Sequence, residues 1–525
     1  MSFLEEFRMN EKPFTRRWFT SDSAVLLSIA LLTVVVHVPA IQNYGYFRDE
    51  LYYIACSNHL DWGYVDQPPL SLLILRIVRF LLGDSLIAIR ILPVLAGATI
   101  VFVTGLMAKE LGGGRFAQVL AALSAMMAPL FLGNAGRYFS MNAFDLLLWA
   151  LAGYIVILIV KNRSEKLWLL FGFVAGLGVL NKYSMGFFLI GLGVGLLLTP
   201  QRKQLLSKWF WMGAVLGGLM VVPHLLWEAR NGFPTAEFIH NVTYLKNRPT
   251  TAWEFFLGQF REVGILWLFG LAFTFVHKPA RTFRFFGFMY LAVFLLMAFQ
   301  NSKAYYLSPI YPIFFASAGC MIASLSTRSL LGWLRPVALT LVLAYGVVST
   351  PFTIPILPVD TYVSYQRFLG VTVEREERGP AGILPQHYAD MFGWPEMVDT
   401  VARVYESLPP EERAKCMIYV RNYGEAGAID FFGAERGLPQ ATCTHNSYWF
   451  WKPQSWTGEV AIIFGTSNDT TECFNDLRQL FDRVELSAVT RCDYAMPYEN
   501  LRPIFICRGA KLTLEQLWER DKHFI

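Results

Sequence analysis

An acidic segment follows the first long apolar run of the 525-residue chain and holds the residues best suited to acid–base chemistry. In residues 46–70, YFRDELYYIACSNHLDWGYVDQPPL, Asp49 and Glu50 stand beside Arg48, and Asp66 follows. A carboxylate beside apolar surface gains proton affinity, which suits a general base. Ionisable groups at membrane level are costly and usually functional. For one acid alone, the alternative is a solvated loop residue paired with Arg48.

The same segment ends in a turn of restricted conformation. Pro68 and Pro69 remove two backbone donors and fix the backbone, so we expect Asp66 and Gln67 in a defined pose that binds substrate. The alternative is a helix-start signal with Asp66 as its N-cap, and both can hold together. Residues 70–83 are too short to span a bilayer and carry two arginines, which predicts an amphipathic helix at the interface.

Further polar residues lie at the ends of later apolar runs. They are Arg137, Tyr138, Asn142, Asp145, Lys182, His224, Arg261, Lys303, Tyr305 and Tyr306. Asn142 and Asp145 are three residues apart and share one helix face, so both can point into one cavity. The cations suit an anionic phosphate. For Lys182 the alternative is snorkelling to the headgroups, and for the aromatic residues it is the interfacial belt. A divalent metal is left open, because acids and His224 are present but no ligand spacing argues for one.

Membrane helices must position these residues. The chain is 54% hydrophobic and only 16% charged, and runs of spanning length recur between about residues 22 and 350. We predict about eleven transmembrane helices. Their expected ranges are 22–41, 86–108, 115–133, 142–160, 167–181, 183–199, 208–227, 262–277, 283–299, 306–325 and 331–350.

The charges of the loops predict an orientation. The N-terminus carries Arg8, Lys12, Arg16 and Arg17, and every second loop after it is short and basic. The positive-inside rule places these loops and the N-terminus in the cytoplasm. The acidic segment 46–70 and the other candidate residues then share the outer face with everything after residue 350. The net charge of +5 is explained by this topology, so we expect no nucleic-acid partner.

Residues 351–525 have a different character and form the second of two predicted domains, the first being the membrane domain 1–350. Short strand-like runs alternate with amphipathic stretches, which predicts an extracytoplasmic α/β domain. Five of the seven cysteines lie here, and an oxidising compartment makes disulfides plausible, with buried thiols as the alternative. The segment 422–433, NYGEAGAIDFFG, indicates either a helix whose N-terminus binds an anion or a plain strand–turn–helix connection.

The first-loop motif resembles the signature of the C-type glycosyltransferases, and within them glycosyltransferase family 39. That family includes protein O-mannosyltransferases and lipid A aminoarabinose transferases. The later segments NKYS, PHLLWEARNGFPT and KAYYLSPIYP are similar to family segments. FGWPEMVDTVARVY, RNYGEAGAIDFFGAERGLP and AMPYEN resemble the C-terminal domain of bacterial members.

The resemblance implies a polytopic membrane fold with interfacial helices in the first outer loop and a sugar-transfer site on the outer face. The donor would be a polyprenyl-phosphate sugar, undecaprenyl in bacteria, and the location the bacterial inner membrane. Asp49 matches the family's catalytic acid, with Glu50 beside it. Aligned on Trp149, the family's second aspartate falls on Asn142, and Asp145 lies one turn later. Either residue is therefore a candidate for the second catalytic position.

These observations predict an inverting glycosyltransferase that moves a sugar from a polyprenyl-phosphate carrier to an envelope lipid, glycan or protein. A transporter or flippase is the first alternative, although it would place polar groups at mid-span and in inverted repeats. A second alternative is a ligase that transfers a preassembled glycan, which the sequence distinguishes poorly from an enzyme that transfers a single sugar. A non-catalytic receptor would not need the first-loop acids.

Overall fold

The computed structural model describes residues 21–161, 164–373 and 380–525. The basic N-terminal residues Arg8, Lys12, Arg16 and Arg17 lie outside these ranges, as does part of the basic loop 161–166. The described membrane part contains sixteen α-helices in chain order: α1 Asp22–His37, α2 Arg48–Asn58, α3 Leu70–Leu82, α4 Leu86–Glu110, α5 Arg115–Met127, α6 Pro129–Gly136, α7 Met141–Val160, α8 Leu167–Asn181, α9 Met185–Leu197, α10 Lys208–Arg230, α11 Pro234–Asn241, α12 Ala252–Val263, α13 Trp267–Val276, α14 Arg284–Phe299, α15 Tyr311–Leu325 and α16 Leu334–Thr353.

The described helices supply between six and nine spans, fewer than the eleven or so that the sequence predicts. Six are long and apolar enough to cross a bilayer, or up to nine if each of three bent helix pairs is one span. Two shorter apolar helices, α1 and α8, cover two further predicted spans. One bent pair, α5 and α6, turns by 63° where the sequence predicted a single span over 115–133. Pro129 at the first position of α6 explains that break, because proline cannot continue the hydrogen-bond ladder of α5.

The first outer loop contains two helices that lie beside the bundle. Helix α3 is amphipathic, as its sequence predicts: Leu72 and Leu75 are buried, whereas Leu73, Ile77 and Phe80 are exposed on the other side. Helix α2 is buried over most of its length and shares one hydrophobic core with residues of the C-terminal part. The C-terminal part therefore packs directly on the loop that carries Asp49.

The C-terminal part has the α/β organisation predicted. Five strands, β1 Cys416–Tyr419, β2 Ala441–Thr442, β3 Val460–Phe464, β4 Phe481–Val489 and β5 Pro503–Ala510, form a sheet in the order β2-β1-β3-β5-β4. Strand β1 pairs in parallel with β2 and β3, and β5 runs antiparallel to β3 and β4. Its helices are α17 Val359–Phe368, α18 Gln386–Ala389, α19 Trp394–Glu406, α20 Pro410–Arg413, α21 Tyr423–Phe432, α22 Thr470–Leu480 and α23 Leu514–Arg520.

The cysteines do not form the disulfides that an oxidising compartment made plausible. All seven are free thiols, and six of them are buried, so the alternative of small buried side chains holds. Helix α16 ends at Thr353, close to the predicted domain boundary, and the division at residue 350 stays a prediction.

Candidate active site

Asp49 lies in the first turn of α2 and is the more accessible of the two adjacent acids there. Its side chain is 29% exposed, and its Oδ1 accepts a hydrogen bond of 3.0 Å from the Tyr423 hydroxyl. The guanidinium Nε of Arg48 lies 3.6 Å from the same oxygen. An oriented and accessible carboxylate is what a general base requires.

Glu50, predicted as catalytic, has a structural role instead. It is fully buried and forms an ion pair with the fully buried Arg90, with 2.7 Å between Arg90 Nη2 and Glu50 Oε2. Arg90 Nε and the backbone N–H of Phe139 donate to Oε1, and the backbone N–H of Phe47 donates to Oε2. With both oxygens bonded twice, Glu50 cannot take a proton from a substrate without breaking this network. It fixes the start of α2 against α4.

Arg48, predicted to bind substrate, points into the C-terminal part. Its Nη1 donates to the Tyr498 hydroxyl at 2.9 Å, and its Nη2 lies 3.6 Å from Asp390 Oδ2. The side chain is 11% exposed and its guanidinium lies over the Tyr423 ring at 5.4 Å. These contacts make Arg48 a link between α2 and the C-terminal part rather than a surface ligand for a phosphate.

The turn after α2 holds a second carboxylate in the same region. The Tyr52 hydroxyl donates to Asp66 Oδ1 at 2.8 Å. Burial raises the pKa of Asp66 to about 6, and the nearby Asp49 carboxylate adds to this effect. Gln67 is buried; its Oε1 accepts from Ser71 and its backbone carbonyl accepts from the Tyr64 N–H. The turn therefore holds Asp66 and Gln67 in a fixed pose, and their contact with substrate stays a prediction.

A polar cluster forms where α7, α8 and the 3-10 helix at residues 304–310 meet. Lys182 Nζ donates to Asn142 Oδ1 at 2.6 Å and lies over the rings of Tyr305 and Tyr306, 5.8 and 5.4 Å from their centroids. The residues come from three different predicted outer loops, so the expectation that these loops converge agrees with the structure. We call Lys182, Asn142, Tyr305 and Tyr306 the lysine cluster.

Asp145 lies one helical turn beyond Asn142 and is buried. Its Oδ1 accepts a hydrogen bond from Ser184 Oγ at 2.5 Å. Asn142 thus bonds directly to Lys182, whereas Asp145 bonds to Ser184 in the short turn between α8 and α9. Of the two candidates for the second polar position, Asn142 is the one in contact with the cation.

Tyr53 links the helix of Asp49 to the start of the helix that carries Asn142. Tyr53 is four residues after Asp49, which places both side chains on the same face of α2. Its hydroxyl lies 3.7 Å from the sulfur of Met141, the residue before Asn142. The Met141 carbonyl in turn accepts from Asn181 Nδ2 at 2.9 Å. The helix of Asp49 therefore packs beside the start of α7 and the end of α8, the elements that carry Asn142 and precede Lys182.

His224 holds the first loop against α10. Its Nε2 is 2.6 Å from the Tyr183 hydroxyl, and its Nδ1 is 2.8 Å from the Trp62 carbonyl. Gly63 is required at this crossing, because a Cβ there would lie 2.3 Å from the Trp227 ring. The predicted role of His224 in substrate binding has no support in these contacts, which are structural.

The remaining predicted residues lie around this region. The Arg137 guanidinium lies 4.8 Å over the Tyr138 ring, and that ring stacks on Phe47 at 4.1 Å, next to the start of α2. Lys303 is half-buried, and its side chain forms no hydrogen bond or ion pair with any residue that the structure describes. Arg261 is 61% exposed on α12, with Glu262 at 3.7 Å.

Comparison with known structures identifies the fold. Two crystal structures of ArnT from Cupriavidus metallidurans superpose on the chain, one in the apo state and one bound to undecaprenyl phosphate. Their TM-scores are 0.56 and 0.55, each at 16% sequence identity, and each match covers 92% of this chain and 97% of that chain. The chain has the fold of a C-type glycosyltransferase.

A family comparison agrees with this C-type glycosyltransferase fold. Residues 66–227 match the family described as dolichyl-phosphate-mannose-protein mannosyltransferase, a stretch that contains Asp66, Asn142 and Lys182 but begins after Asp49. No curated protein matches the sequence. The resemblance inferred from the first-loop motif is thereby confirmed, and both findings agree with the expected enzyme class, a glycosyltransferase that uses a polyprenyl-phosphate sugar.

The C-type glycosyltransferase fold also brings residues to the site that the sequence did not single out. Tyr423 reaches Asp49 from the first turn of α21, and its ring packs on Tyr52 at 4.7 Å and on His445 at 4.7 Å. The sequence of segment 422–433 predicts the start of a helix, but it does not show that Tyr423 of this helix contacts α2. Asn422 accepts from the N–H groups of Gly424 and Glu425, so these two donors are occupied within the chain, and an external anion at this helix stays a prediction.

The described residues contain no preformed set of metal ligands. Across residues 21–161, 164–373 and 380–525, no three His, Cys, Asp or Glu side chains are grouped so that they could hold an ion. Asp49 and Asp66 bond to tyrosine hydroxyls, and His224 bonds to Tyr183 and the Trp62 carbonyl.

Proposed function

We propose that this chain is an inverting glycosyltransferase that moves a sugar from an undecaprenyl-phosphate carrier to an acceptor of the bacterial cell envelope. The acceptor class is a lipid, a glycan or a protein that presents a hydroxyl or phosphate oxygen. The fold of C-type glycosyltransferases and the family match support the general class. The observation that carries the specific proposal is the accessible Asp49 carboxylate at a helix N-terminus, on a helix whose Tyr53 contacts Met141, the sequence neighbour of Asn142 in the lysine cluster.

The lysine cluster is suited to the phosphate of the donor. The Lys182 ammonium can neutralise one phosphate oxygen, and its bond to Asn142 fixes its direction. Lys303 precedes the helix that carries Tyr305 and Tyr306, and supplies a second cation from the same element. Because cations stabilise the charge that develops on a departing phosphate, these residues would lower the barrier for its release.

Asp49 would act on the other side of the sugar. It takes the proton from the acceptor oxygen as that oxygen attacks the anomeric carbon. The new carbon–oxygen bond forms while the bond from the anomeric carbon to the phosphate oxygen breaks, and undecaprenyl phosphate leaves with the bonding electron pair. Attack opposite to the leaving group inverts the anomeric configuration, the geometry expected for a base and a leaving-group site on opposite faces. No step requires a cofactor beyond the lipid-linked donor, and metal dependence is left to experiment.

The orientation follows from the basic loops. Short basic loops lie at the opposite membrane face from Asp49, and the positive-inside rule assigns that face to the cytoplasm. The site then faces the periplasm of the inner membrane, together with the C-terminal part that packs on α2. Membrane lipids surround the exposed apolar faces of α3 and the spans.

Mass spectrometry of envelope lipids and glycans, with and without the gene, tests this function. We expect one sugar-bearing species to disappear in the deletion strain and undecaprenyl-phosphate sugar to accumulate. The strain is complemented with wild type, Asp49→Asn and, as control, Asp61→Asn, an exposed acid of the same loop. Asp49→Asn should fail to restore the species, because loss of a general base costs about 10²–10⁴ in rate. Restoration of the species by Asp49→Asn to wild-type level would overturn the proposal. So would a deletion strain whose envelope lipids and glycans match wild type while the lipid-linked sugar is found on the other side of the membrane, because that result indicates a flippase.

A further inference from the structure

We infer that Tyr423, a residue of the C-terminal part, is a positioning residue for Asp49, so that the α/β domain completes the active site of the membrane domain. This inference rests on the proposed role of Asp49 as the base. Tyr423 donates its hydroxyl hydrogen to Asp49 Oδ1 at 3.0 Å across 374 residues of chain. The bond fixes one carboxylate oxygen and leaves the other available to an acceptor.

The backbone of α21 is built to bring Tyr423 to this place. Gly424 and Gly427 lie at its crossing with α2, where a Cβ would stand 2.4 Å from Arg48 Cγ and 2.7 Å from the Leu51 carbonyl carbon. Distances this short exclude any side chain at Gly427 without backbone movement, because Leu51 presents backbone atoms there. The two helices therefore touch through their backbones, which carries the Tyr423 hydroxyl to Asp49.

The Tyr423 ring is held on several sides. The Arg48 guanidinium lies over it at 5.4 Å, while Tyr52 and His445 pack against it. The Asn422 side chain accepts from the N–H groups of Gly424 and Glu425 and caps the helix one residue earlier. A ring confined in this way gives its hydroxyl little freedom, so the orientation of Asp49 is set before substrate binds.

Charged and polar groups from three elements surround Asp49 among the residues that the structure describes. Arg48 and Tyr53 come from its own helix, Asp66 from the following turn and Tyr423 from α21. Arg48 presents a positive charge and Tyr423 a hydrogen-bond donor, whereas Asp66 presents a carboxylate. In Tyr423→Phe the carboxylate loses the donor on Oδ1.

The first test is chemical and needs no substrate. Full-length wild type, Tyr423→Phe and Tyr448→Phe in detergent are labelled with a water-soluble carbodiimide and an amine between about pH 4 and 8. The carboxyl oxygen attacks the carbodiimide carbon while a proton is transferred to its nitrogen, so the rate falls as the carboxyl group loses its proton, and the amine then displaces the urea. Asp49 and Asp61 lie on one tryptic peptide, Asp49–Arg76, so Asp61 is an internal reference. Tyr448 is a matched control, because its hydroxyl also donates to a partly buried carboxylate, that of Asp430 at 2.7 Å.

We expect the labelling midpoint of Asp49 to move up by about one pH unit in Tyr423→Phe, as a hydrogen bond to a charged group is worth roughly that much. The Asp61 midpoint, and both midpoints in Tyr448→Phe, should stay in place. An unchanged Asp49 midpoint in Tyr423→Phe would refute the positioning role, whatever the activity of the enzyme. A midpoint that moves equally in both tyrosine variants would refute it too, since the effect would then be general loosening.

The second test measures turnover with undecaprenyl-phosphate mannose, glucose and galactose in the presence of membrane extract. If wild type consumes one of them, Tyr423→Phe should lose about 10-fold in kcat near pH 6, keep KM within about 2-fold, and recover partly at higher pH. A uniform loss at every pH would contradict the positioning role. Absence of turnover by wild type counts against the proposed function and leaves the labelling result to decide the inference on Tyr423.

Discussion

Glu50 and Arg90 form a two-bond ion pair with no exposed side-chain surface, directly beneath the accessible Asp49. The two adjacent acids of the first loop therefore have different environments and different roles. Asp49 presents its carboxylate to the outside of α2, and Glu50 points inward to α4. Their sequence adjacency puts them on different sides of one helix, because successive residues are rotated by about 100°.

Glu50→Gln is expected to destabilise the protein strongly. The substitution leaves the Arg90 guanidinium buried without its counter-charge, which costs about 3–5 kcal/mol. Thermal unfolding of the purified variant in detergent, followed by tryptophan fluorescence, should show a clearly lower Tm than wild type, whereas Asp49→Asn should unfold like wild type. A Glu50→Gln protein with wild-type Tm but no turnover would indicate that Glu50 takes part in catalysis.

The sequence could predict the parts of the site that depend on local spacing. Asp49 was found from its motif, and Lys182 and Asn142 from their places at the ends of apolar runs, which topology carries to one face. The roles of Arg48 and Glu50 could not be predicted, because Asp390 and Arg90, which bind them, are distant in sequence. The same limit applies to Tyr423: a helix start is a local signal, whereas the neighbour of that helix is decided by packing.

Lys182→Met should weaken binding of the lipid phosphate. Methionine preserves much of the apolar stem but removes the ammonium that faces Asn142 and the two tyrosine rings. Binding of undecaprenyl phosphate, measured by tryptophan quenching in nanodiscs, should lose about 10-fold or more in affinity, the usual size of one lost hydrogen bond to a charged group.

Lys208→Met is the matched control for Lys182→Met. Lys208 also lies over an aromatic ring, that of Trp209 at 5.4 Å, but begins α10 at the end of that helix away from His224. We expect its affinity for undecaprenyl phosphate to equal that of wild type. Equal losses in both variants would mean that the lysines act through general attraction to the lipid and not through a site.

Asp66→Asn should change the pH dependence of stability. The pKa of Asp66 is raised from its ordinary value of 3.8 to about 6. The folded protein therefore keeps a proton on Asp66 that the unfolded chain releases, so this residue lowers stability as pH rises from about 4 to 6 and beyond. Asparagine carries no charge and can still accept from Tyr52.

The Tm difference between Asp66→Asn and wild type tests this effect. It should be near zero at about pH 4, increase in favour of the variant through about pH 6, and level off above about pH 7. Asp61→Asn, in an exposed position, should show no such trend. A difference that is constant with pH would mean that Asp66 has the same pKa in the folded and unfolded chain, and one that favours wild type at neutral pH would mean that the folded protein stabilises the Asp66 carboxylate.

Gly427→Ala tests whether the C-terminal part must touch α2 through its backbone. The added Cβ would meet the Leu51 carbonyl carbon and oxygen at 2.7 and 2.8 Å, and backbone atoms cannot turn aside as a flexible side chain can. The helices must separate, at a cost of about 1–3 kcal/mol for overpacking, and the Tyr423 hydroxyl moves away from Asp49. We expect a lower Tm together with the same upward shift of the Asp49 labelling midpoint as in Tyr423→Phe.

Gly218→Ala is the control, since a Cβ at this helical position in α10 meets nothing within 4 Å and alanine favours the helix. If Gly427→Ala left both the Tm and the midpoint at their wild-type values, the close crossing would not be what carries Tyr423 to the base.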